Sequence, residues 1–376
     1  MPLSVLISGG GTGGHLYPGI AVARELLARV PDARVTFVGT AAGIEAQVIP
    51  REGFALDLIR SAGIKGKSLP SLARGIGLIP LSAGDAWQVI SRTRPSVVVG
   101  VGGYSSGPVV LLAALRGVPT LLLEQNAVPG LTNRLLAPVV NAAAVTYQES
   151  VKCFGDKAFV SGNPVRKEFF QTLEPEQEQT QEPPQEEGTH GHHVSPPGAA
   201  RVLVFGGSQG AHAINVAMVE AASRLAAATP GVAITHQTGE RDLEMVRDGY
   251  RRAGLEARVE PFLFAMDREM RAADLVVCRA GATTLAELTA CGRPSILVPF
   301  PLATDDHQRR NAEALVKQGA ARMVEQRELS GDRLAAEVLT LAADTGLRMQ
   351  MGDAARRLAR PDAARVIVDR ILAIAR

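Results

Sequence analysis

The chain has 376 residues, of which 46% are hydrophobic and 21% are charged, and its formal net charge is +2. This composition is typical of a globular protein, and the length favours two domains over one. Because positive and negative charges nearly balance, we expect no nucleic-acid partner. The cysteines are few and widely spaced, without a CxxC pair, which excludes a disulfide framework and a zinc site of that type.

The first predicted element is an apolar strand that leads into the glycine loop of VLISGGGTGGHLYP, residues 5–18. Glycines between a strand and a helix let the backbone approach phosphate groups, which the helix N-terminus attracts. The loop also fits the GxGxxG pattern of dinucleotide-binding enzymes, which need an acid at the end of the second strand to bind the ribose. The second strand, RVTFVG at 34–39, is followed by no acid before Glu45. A nicotinamide cofactor is therefore disfavoured, and we predict no cofactor.

The segment 58–84 combines basic and apolar residues and contains no acid. Its basic residues are Arg60, Lys65, Lys67 and Arg74. Such a segment suits either docking on anionic lipid headgroups or a half-buried helix with a solvated loop. Glycine or proline interrupts every long apolar run of the chain, so we predict no transmembrane helix.

Further apolar strands alternate with helical segments along the chain. They are SVVVG (96–100), TLLLE (120–124), VLVF (202–205), DLVVC (274–278) and SILVP (295–299). This alternation predicts an α/β fold with doubly wound parallel sheets, in which ligands bind at the carboxyl ends of the strands. A second glycine loop, GGSQGAH at 206–212, repeats the pattern of the first loop and aligns His212 with His15. We therefore predict two domains of this kind.

The two halves are separated by an acidic segment with almost no apolar residue, EPEQEQTQEPPQEEGTHGHHVSPPG (174–198). Such a composition cannot bury enough surface to fold, and we predict a disordered insertion of about 172–199. We assign residues 1–165 to an N-terminal domain and 166–346 to a C-terminal domain. The helical segment of about 347–376 is expected to pack back on the N-terminal domain.

Seven motifs occur in a fixed order and cover nearly the whole chain. They are GGTGGHLYPGIAVA (10–23), GVGGYSSGP (100–108), EQNAVPGLTN (124–133), GNPVR (162–166), GGSQGAHAIN (206–215), RAGATTLAEL (279–288) and DHQRRNA (306–312). Together they resemble the bacterial glycosyltransferases of peptidoglycan biosynthesis that add N-acetylglucosamine to lipid I. The resemblance implies a GT-B fold, in which two Rossmann-like parallel-sheet domains face each other across a cleft.

The same resemblance implies an activity and a location. The enzyme would transfer N-acetylglucosamine, with inversion, from UDP-GlcNAc to the 4-hydroxyl of the N-acetylmuramoyl residue of lipid I, giving lipid II and UDP. It would be a peripheral protein of the cytoplasmic side of the bacterial cell membrane. The N-terminal domain would face the membrane and bind lipid I, and the C-terminal domain would bind UDP-GlcNAc.

The resemblance also implies which residues bind the substrates. Glu287 would bind the ribose diol, although Thr284 and Glu287 also satisfy the pattern of a helix capping box. Whether His307 or Gln308 contacts the transferred sugar stays open. The implied binding residues are Thr12, Gly13, Gly14, Asn126, Arg166, Ser208, Leu263, Ala282, Thr283, Thr284, Leu285, Ala286, Glu287 and Gln308.

An inverting transfer needs a base that takes the proton of the acceptor hydroxyl. His15 is the first candidate because it lies at a loop–helix junction and its ordinary pKa is near neutral. It could equally serve only to orient the sugar or the phosphate. Glu124 is the rival candidate, since it ends an apolar strand where ligands gather. His212 and His236 are expected to be structural.

Two alternatives of other classes are a UDP-GlcNAc 2-epimerase of the same fold and a non-catalytic subunit that only binds a nucleotide sugar. An epimerase would release UDP and a rearranged sugar without an acceptor. A binding subunit would turn over nothing. The sequence contains no DxD triplet, so we predict no metal ion that bridges the diphosphate.

Overall fold

The computed structural model describes residues 2–61, 78–171, 199–207, 210–229 and 231–375. The chain folds into two α/β domains, each built on a parallel sheet. The predicted acidic insertion, most of the basic segment and Ser208 lie outside the described residues. In the described part of the chain, none of the helices combines the length and the apolar character that a membrane span requires.

The N-terminal domain contains a seven-stranded sheet with the order β3-β2-β1-β4-β5-β6-β7. The strands are β1 (Ser4–Gly9), β2 (Arg34–Gly39), β3 (Ala55–Leu58), β4 (Val97–Gly102), β5 (Thr120–Glu124), β6 (Ala142–Val145) and β7 (Ala158–Val160). The helices are α1 (Gly13–Arg29), α2 (Glu45–Arg51), α3 (Ile79–Thr93), α4 (Ser106–Leu115), α5 (Leu131–Leu136) and α6 (Val151–Phe154). The strand order reverses between β1 and β4, and such a switch point opens a crevice for ligands at the carboxyl ends of the strands.

The C-terminal domain contains a six-stranded sheet with the order β10-β9-β8-β11-β12-β13. The strands are β8 (Ala200–Phe205), β9 (Val232–Gln237), β10 (Ala257–Glu260), β11 (Leu275–Cys278), β12 (Ser295–Leu297) and β13 (Ala321–Met323). The helices are α7 (His212–Ala226), α8 (Leu243–Ala253), α9 (Met266–Ala272), α10 (Ala282–Cys291), α11 (His307–Lys317) and α12 (Gly331–Ala343). The switch point lies here between β8 and β11.

The doubly wound parallel sheets are confirmed. Strand β4 (VVVGVG) and strand β5 (TLLLE) are buried at every position, because helices cover both faces of the sheet. Each sheet separates two hydrophobic clusters, one on each face. These rigid sheets hold the loops at their carboxyl ends in fixed positions.

The helical segment predicted at about 347–376 forms two helices, which pack on different domains. Helix α13 (Thr345–Leu358) packs against α10 and contributes Ala354 and Ala355 to the core of the C-terminal domain. Only α14 (Ala363–Ile374) crosses to the N-terminal domain, where it packs against α1. Its side chains Ile367, Val368 and Ile371 are fully buried in the core beneath β1 and β4.

Candidate functional site

The two switch points face each other, and the first turns of α1 and α10 meet between them. The hydroxyl of Thr283, in α10, donates a 2.7 Å hydrogen bond to the carbonyl oxygen of Gly14, in α1. The side-chain amide of Asn163 donates to the same hydroxyl at 3.3 Å. The first glycine loop and the start of α10 are therefore in direct contact across the cleft.

His15 lies in the first turn of α1, and its neighbours fix the tautomer of its imidazole. The Nε2 amide of Gln125 donates to the carbonyl oxygen of Val101 at 3.0 Å, so Oε1 of Gln125 faces His15. The distance from that Oε1 to Nδ1 of His15 is 3.3 Å, and an amide oxygen can only accept. Nδ1 therefore carries the proton, and the lone pair of the neutral ring lies on Nε2.

The backbone beside the imidazole leaves room for it. Gly102 has φ +98°, and a Cβ atom there would lie 2.7 Å from Nδ1 of His15. Burial lowers the pKa of His15, and the nearby charge of Glu124 opposes this effect, while His307 lowers the pKa further. His15 is consequently neutral at pH 7, as a general base must be.

Glu124 is buried at the end of β5, and its carboxylate is fully engaged. Oε1 accepts hydrogen bonds from the backbone and side-chain amides of Asn126 at 3.0 and 3.2 Å. Oε2 accepts from the backbone of Gly130 and the side chain of Asn133, both at 2.9 Å. These four donors order the loop after β5, and an acceptor hydroxyl would compete with them for the carboxylate. The charge of Glu124 raises the pKa of His15, against the larger effect of burial.

Asn126 links the two halves of the chain. Its Oδ1 accepts from Nδ2 of Asn311, in α11, at 3.3 Å, and Oδ1 of Asn311 accepts from the backbone of Ala127 at 3.0 Å. Asn311 is fully buried. This pair brings the EQN motif next to the DHQRRNA motif, although the two are far apart in the sequence.

The GATTLAEL segment forms α10, which begins at Ala282 with Gly281 as its N-cap residue. Thr284 is therefore inside the helix, and the predicted capping box with Glu287 is wrong. Glu287 lies one turn further along, where burial raises the pKa of its carboxyl to about 7, although Arg166 opposes the shift. The run Ala282, Thr283, Thr284, Leu285, Ala286 and Glu287 forms one continuous helical stretch at the cleft.

Arg166, at the end of the GNPVR motif, lies between two aromatic rings. Its guanidinium carbon is 4.8 Å from the ring centre of Tyr17 and 5.1 Å from that of Phe169. Its Nε is buried and has no hydrogen-bond partner among the described residues. Such a stacked, incompletely satisfied guanidinium is suited to an anionic ligand.

The second glycine loop is tied to the segment that contains Leu263. The side chain of Gln237, at the end of β9, donates to the carbonyl oxygen of Gly207 at 2.9 Å and accepts from the backbone of Leu263 at 3.2 Å. The backbone nitrogen of Leu263 is thus already engaged, while its side chain is buried. Ser208, the predicted phosphate contact of this loop, lies outside the described residues.

The loop before α11 reaches the site from the C-terminal domain. Oε1 of Gln308 accepts from the backbone of Phe300 at 2.9 Å, which pins this loop to the helix. Asp305 forms a 2.9 Å ion pair with Arg134 of the N-terminal domain. His307 is close enough to His15 to affect its pKa.

Thr12 precedes α1 as its exposed N-cap residue, and Gly13 and Gly14 form the first turn. Glu45, the nearest acid after β2, is 1% exposed and binds the glycine loop itself. It is therefore closed off from the position of a dinucleotide ribose, which further disfavours a nicotinamide cofactor.

Three side chains at the site were missed from the sequence. Gln125, Asn311 and Gln237 are uncharged, and each acts by orienting another group. The sequence signal for Gln125 and Asn311 was their place within the motifs EQNAVPGLTN and DHQRRNA. Their partners are 110 and 185 residues away in the chain, so no local pattern could reveal the contacts.

Comparison with known proteins gives consistent matches. Residues 5–145 match the glycosyltransferase family 28 N-terminal domain, and residues 201–367 match the glycosyltransferase family 28 C-terminal domain. A protein of Pelobacter propionicus is 49% identical over 98% of this chain and 99% of its own length. A protein of Geobacter sulfurreducens is 45% identical over 100% of this chain and 99% of its own length. Both are named UDP-N-acetylglucosamine--N-acetylmuramyl-(pentapeptide) pyrophosphoryl-undecaprenol N-acetylglucosamine transferase.

Solved structures agree with this result. The crystal structure of Acinetobacter baumannii MurG is 29% identical, with a TM-score of 0.74 over 99% of this chain and 100% of that one. The UDP-GlcNAc 2-epimerase of Neisseria meningitidis is 12% identical, with a TM-score of 0.65 over 99% and 100% of the two chains. At that identity the epimerase shows the fold alone. The chain therefore belongs to glycosyltransferase family 28, and it is a glycosyltransferase with the GT-B fold.

Proposed function

We propose that this enzyme transfers N-acetylglucosamine from UDP-GlcNAc to the 4-hydroxyl of the N-acetylmuramoyl residue of lipid I, giving lipid II and UDP in peptidoglycan synthesis. Relatives named for the transfer of N-acetylglucosamine to this class of acceptor align from end to end at 45% and 49% identity. The observation that carries the mechanism is the geometry of His15. Its ring lies where the first turns of the two cleft helices meet, with the proton on Nδ1 and the lone pair on Nε2.

His15 is the general base of the proposed reaction. Its Nε2 takes the proton of the acceptor 4-hydroxyl while that oxygen bonds to the anomeric carbon of the donor sugar. The bond from this carbon to the diphosphate oxygen breaks on the opposite face, which inverts the anomeric centre. The charge of Glu124 stabilises the imidazolium that forms, as the carboxylate of a catalytic triad does. Water then accepts the proton.

The donor binds mainly to the C-terminal domain. The N-terminus of α10 and Arg166 stabilise the negative charge of the departing diphosphate, because both offer donors in a partly buried setting. Glu287 accepts hydrogen bonds from the ribose diol. The raised pKa of Glu287 supports this assignment. A carboxyl group that is desolvated in the free protein is stabilised most by hydrogen bonds from two hydroxyl groups.

The other implied contacts extend this donor site. Leu263 holds the uracil, and Ser208 contacts a phosphate in the second glycine loop. Thr12, Gly13 and Gly14 approach the donor from the first loop, and Asn126 and Gln308 hold the transferred sugar. Their support is that Asn126 is hydrogen-bonded to Asn311 of α11, and that Gln237 links the segment of Leu263 to the second glycine loop. The Asn126–Asn311 hydrogen bond then exchanges for one to the sugar.

The N-terminal domain docks on the cytoplasmic face of the membrane through an apolar patch. Its members are Leu81 and Trp87 of α3, Leu111 and Leu115 of α4, and Leu135 of α5, which are 42–71% exposed. The three helices pack side by side. Arg60, one of the four basic residues of the segment 58–84, forms an ion pair with Asp85. Lys65, Lys67 and Arg74 lie outside the described residues, so the apolar side chains are the support for docking in the described part of the chain.

The activity is tested with purified protein, UDP-GlcNAc and a lipid I analogue, by measuring UDP release. We expect UDP only when both substrates are present, and a disaccharide product with a β-linkage to the 4-hydroxyl. UDP release and a rearranged sugar from UDP-GlcNAc alone would establish the epimerase. Thermal stabilisation by UDP-GlcNAc without turnover under any condition would establish a binding subunit.

Membrane docking is tested by sedimentation with vesicles that contain anionic lipids. We expect the double variant Leu115→Glu/Leu135→Glu to lose most vesicle binding while its affinity for UDP stays unchanged. Met349→Glu is the matched control, because Met349 is 65% exposed on α13 of the C-terminal domain. Equal vesicle binding by the double variant and the control would refute this surface.

A further inference from the structure

The guanidinium of Arg166 is held by one aromatic ring from each domain. Phe169 belongs to the core of the C-terminal domain and is fully buried. Tyr17 lies on α1 of the N-terminal domain, where it is partly buried. The two ring centres lie 5.1 and 4.8 Å, respectively, from the guanidinium carbon of Arg166. A side chain at the donor side of the cleft is thus in contact with a helix of the other domain.

The chain around Tyr17 leaves space for its ring. Gly13 precedes Tyr17 by one turn of α1, and a Cβ atom at Gly13 would lie only 3.1 Å from Cε2 of the tyrosine ring. Two ion pairs join α1 to the segment that follows Arg166, Lys167 with Glu25 at 3.2 Å and Arg24 with Glu168 at 3.3 Å. These contacts hold the ring next to the guanidinium.

Stacking orders the guanidinium of Arg166 without using its hydrogen-bond donors. The face of an aromatic ring attracts the cation, whereas the N–H groups of a guanidinium lie in its own plane. Nε of Arg166 is buried and has no partner among the described residues. Because the two rings restrict the rotation of this long side chain, they lower the entropy cost of binding an anion.

Glu287 is the carboxyl group that would compete for an Arg166 side chain without this support. Burial raises the pKa of Glu287, and the charge of Arg166 opposes the shift, so the two groups are close. A guanidinium that turned to this carboxylate would be withdrawn from the diphosphate. It would also occupy the carboxylate that we propose binds the ribose.

We propose that Tyr17 is a positioning residue of the donor site: its ring holds the guanidinium of Arg166 where the donor diphosphate binds. This inference rests on the proposed binding of UDP-GlcNAc by Arg166 and Glu287. It assigns to Tyr17 no contact with the reacting atoms. Donor affinity then depends on α1, the helix that also carries His15.

The test is the Kd of UDP, measured by calorimetric titration. Tyr17→Leu and Tyr17→Met both remove the ring, and each should raise Kd about three- to tenfold, the effect of losing one partly buried cation–π contact. Tyr17→Phe keeps the ring, and its Kd should stay within about twofold of the wild-type value.

Phe54→Leu is the matched control, because it removes a ring of the same domain that packs on another ring, Phe37, at 5.2 Å. It should lose similar thermal stability and keep the Kd of UDP. The double variant Tyr17→Leu/Arg166→Gln tests whether Tyr17 acts through Arg166. When Arg166 is already glutamine, removal of the Tyr17 ring should change Kd less than about twofold, because the effects of two residues in contact do not add.

Each outcome decides for or against this role. Unchanged Kd in Tyr17→Leu and Tyr17→Met would overturn it, and an equal loss in Tyr17→Phe would assign the effect to the hydroxyl and contradict the stacking. An equal loss in Phe54→Leu, or a full further loss in the double variant, would show a general structural effect and overturn the role too. A wild-type protein that does not bind UDP would instead overturn the proposed donor site, and the proposed function with it.

Discussion

The two glycine loops share one pattern but hold their histidines differently. His15 is partly buried, and its Nδ1 faces the neutral amide oxygen of Gln125. His212 occupies the same place after the second loop, but its side chain is 56% exposed and its Nδ1 lies 2.9 Å from a carboxylate oxygen of Asp242. Burial lowers the pKa of His15, although the charge of Glu124 and the hydrogen bond to Gln125 oppose this shift. We propose that the same strand–loop–helix unit serves proton transfer in one domain and structure in the other.

The surroundings of the second histidine support this contrast. Burial raises the pKa of Asp242, but hydrogen bonds from Asn215 and His212 lower it overall. Asn215 also binds Nε2 of the buried His236 at 3.1 Å, and burial lowers the pKa of His236 to about 3. His236 is therefore neutral at physiological pH. These residues form one network that joins α7 to β9.

The largest expected effect comes from removing the base. His15→Gln should lower kcat by about 10²- to 10⁴-fold, the usual contribution of a general base. UDP affinity should stay unchanged, because the proposed partner of His15 is the acceptor hydroxyl. His212→Gln is the control and should keep kcat within about threefold of wild type. Equal losses of kcat in the two variants would show that the two histidines do not differ in function.

The second largest effect is expected from removing the carboxylate that we propose binds the ribose. Glu287→Gln should weaken UDP binding by about 10- to 100-fold, because hydrogen bonds to a charged acceptor contribute about 1.5–3 kcal/mol each. Calorimetric titration with UDP measures the change. A variant with wild-type UDP affinity would remove Glu287 from the donor site.

The pH dependence of donor binding follows from the same group. With a pKa of about 7, the Glu287 carboxyl is ionised above that pH and protonated below it. Protonation removes an acceptor, so UDP affinity should fall as the pH falls, by roughly tenfold per unit below the pKa. Glu287→Gln should show no such slope between pH 5.5 and 8. A steep slope in that variant would assign the titration to another group.

A smaller effect is expected when the amide beside His15 is replaced by a carboxylate, which is the kind of partner that His212 has. Gln125→Glu puts a carboxylate beside His15, which stabilises the imidazolium and raises its pKa. The acid limb of the kcat–pH profile should move to higher pH, and kcat at pH 7 should fall by about tenfold. An acid limb that stays in place would show that Gln125 does not set the state of His15.

The smallest expected effect concerns the contact between the helices. Thr283→Val removes the hydroxyl that donates to Gly14, and a single hydrogen bond contributes about 0.5–1.5 kcal/mol. We expect kcat/KM to fall about two- to tenfold, and Thr283→Ser to restore it. Failure of the serine variant to restore activity would point to the methyl group of Thr283 and away from the hydrogen bond.

Much of the fold could be predicted from the sequence, because its central strands are continuous apolar runs bounded by glycine or proline. Strands β1, β2, β4, β5, β8, β11 and β12 were all indicated in this way. Strand β6, with the sequence AAAV, has little β-propensity, and β9 contains polar His236 and Gln237. Such strands form because a neighbouring strand and the helices above them supply the partners, which a local pattern does not contain.

The site could be predicted in part, for similar physical reasons. The position of His15 in the first turn of α1, at the contact with α10, follows from its place between a glycine loop and a helix. The engagement of Glu124 by four donors could not be foreseen, since it depends on how the loop after β5 folds back on itself. The capping-box pattern at Thr284 failed because α10 begins two residues earlier, at Ala282.

Because helix α14 is near the end of the chain, it affects the order in which the two domains fold during synthesis. Ile367, Val368 and Ile371 complete the hydrophobic core that Val5 and Ile7 begin more than 350 residues earlier in the chain. While the polypeptide emerges from the ribosome, the side of α1 that α14 covers stays open to water until those residues arrive. The C-terminal domain can close its own core sooner, although domains usually fold in the order in which they are made. The N-terminal domain should therefore be the later of the two to become stable, and the one more dependent on chaperones in the cell.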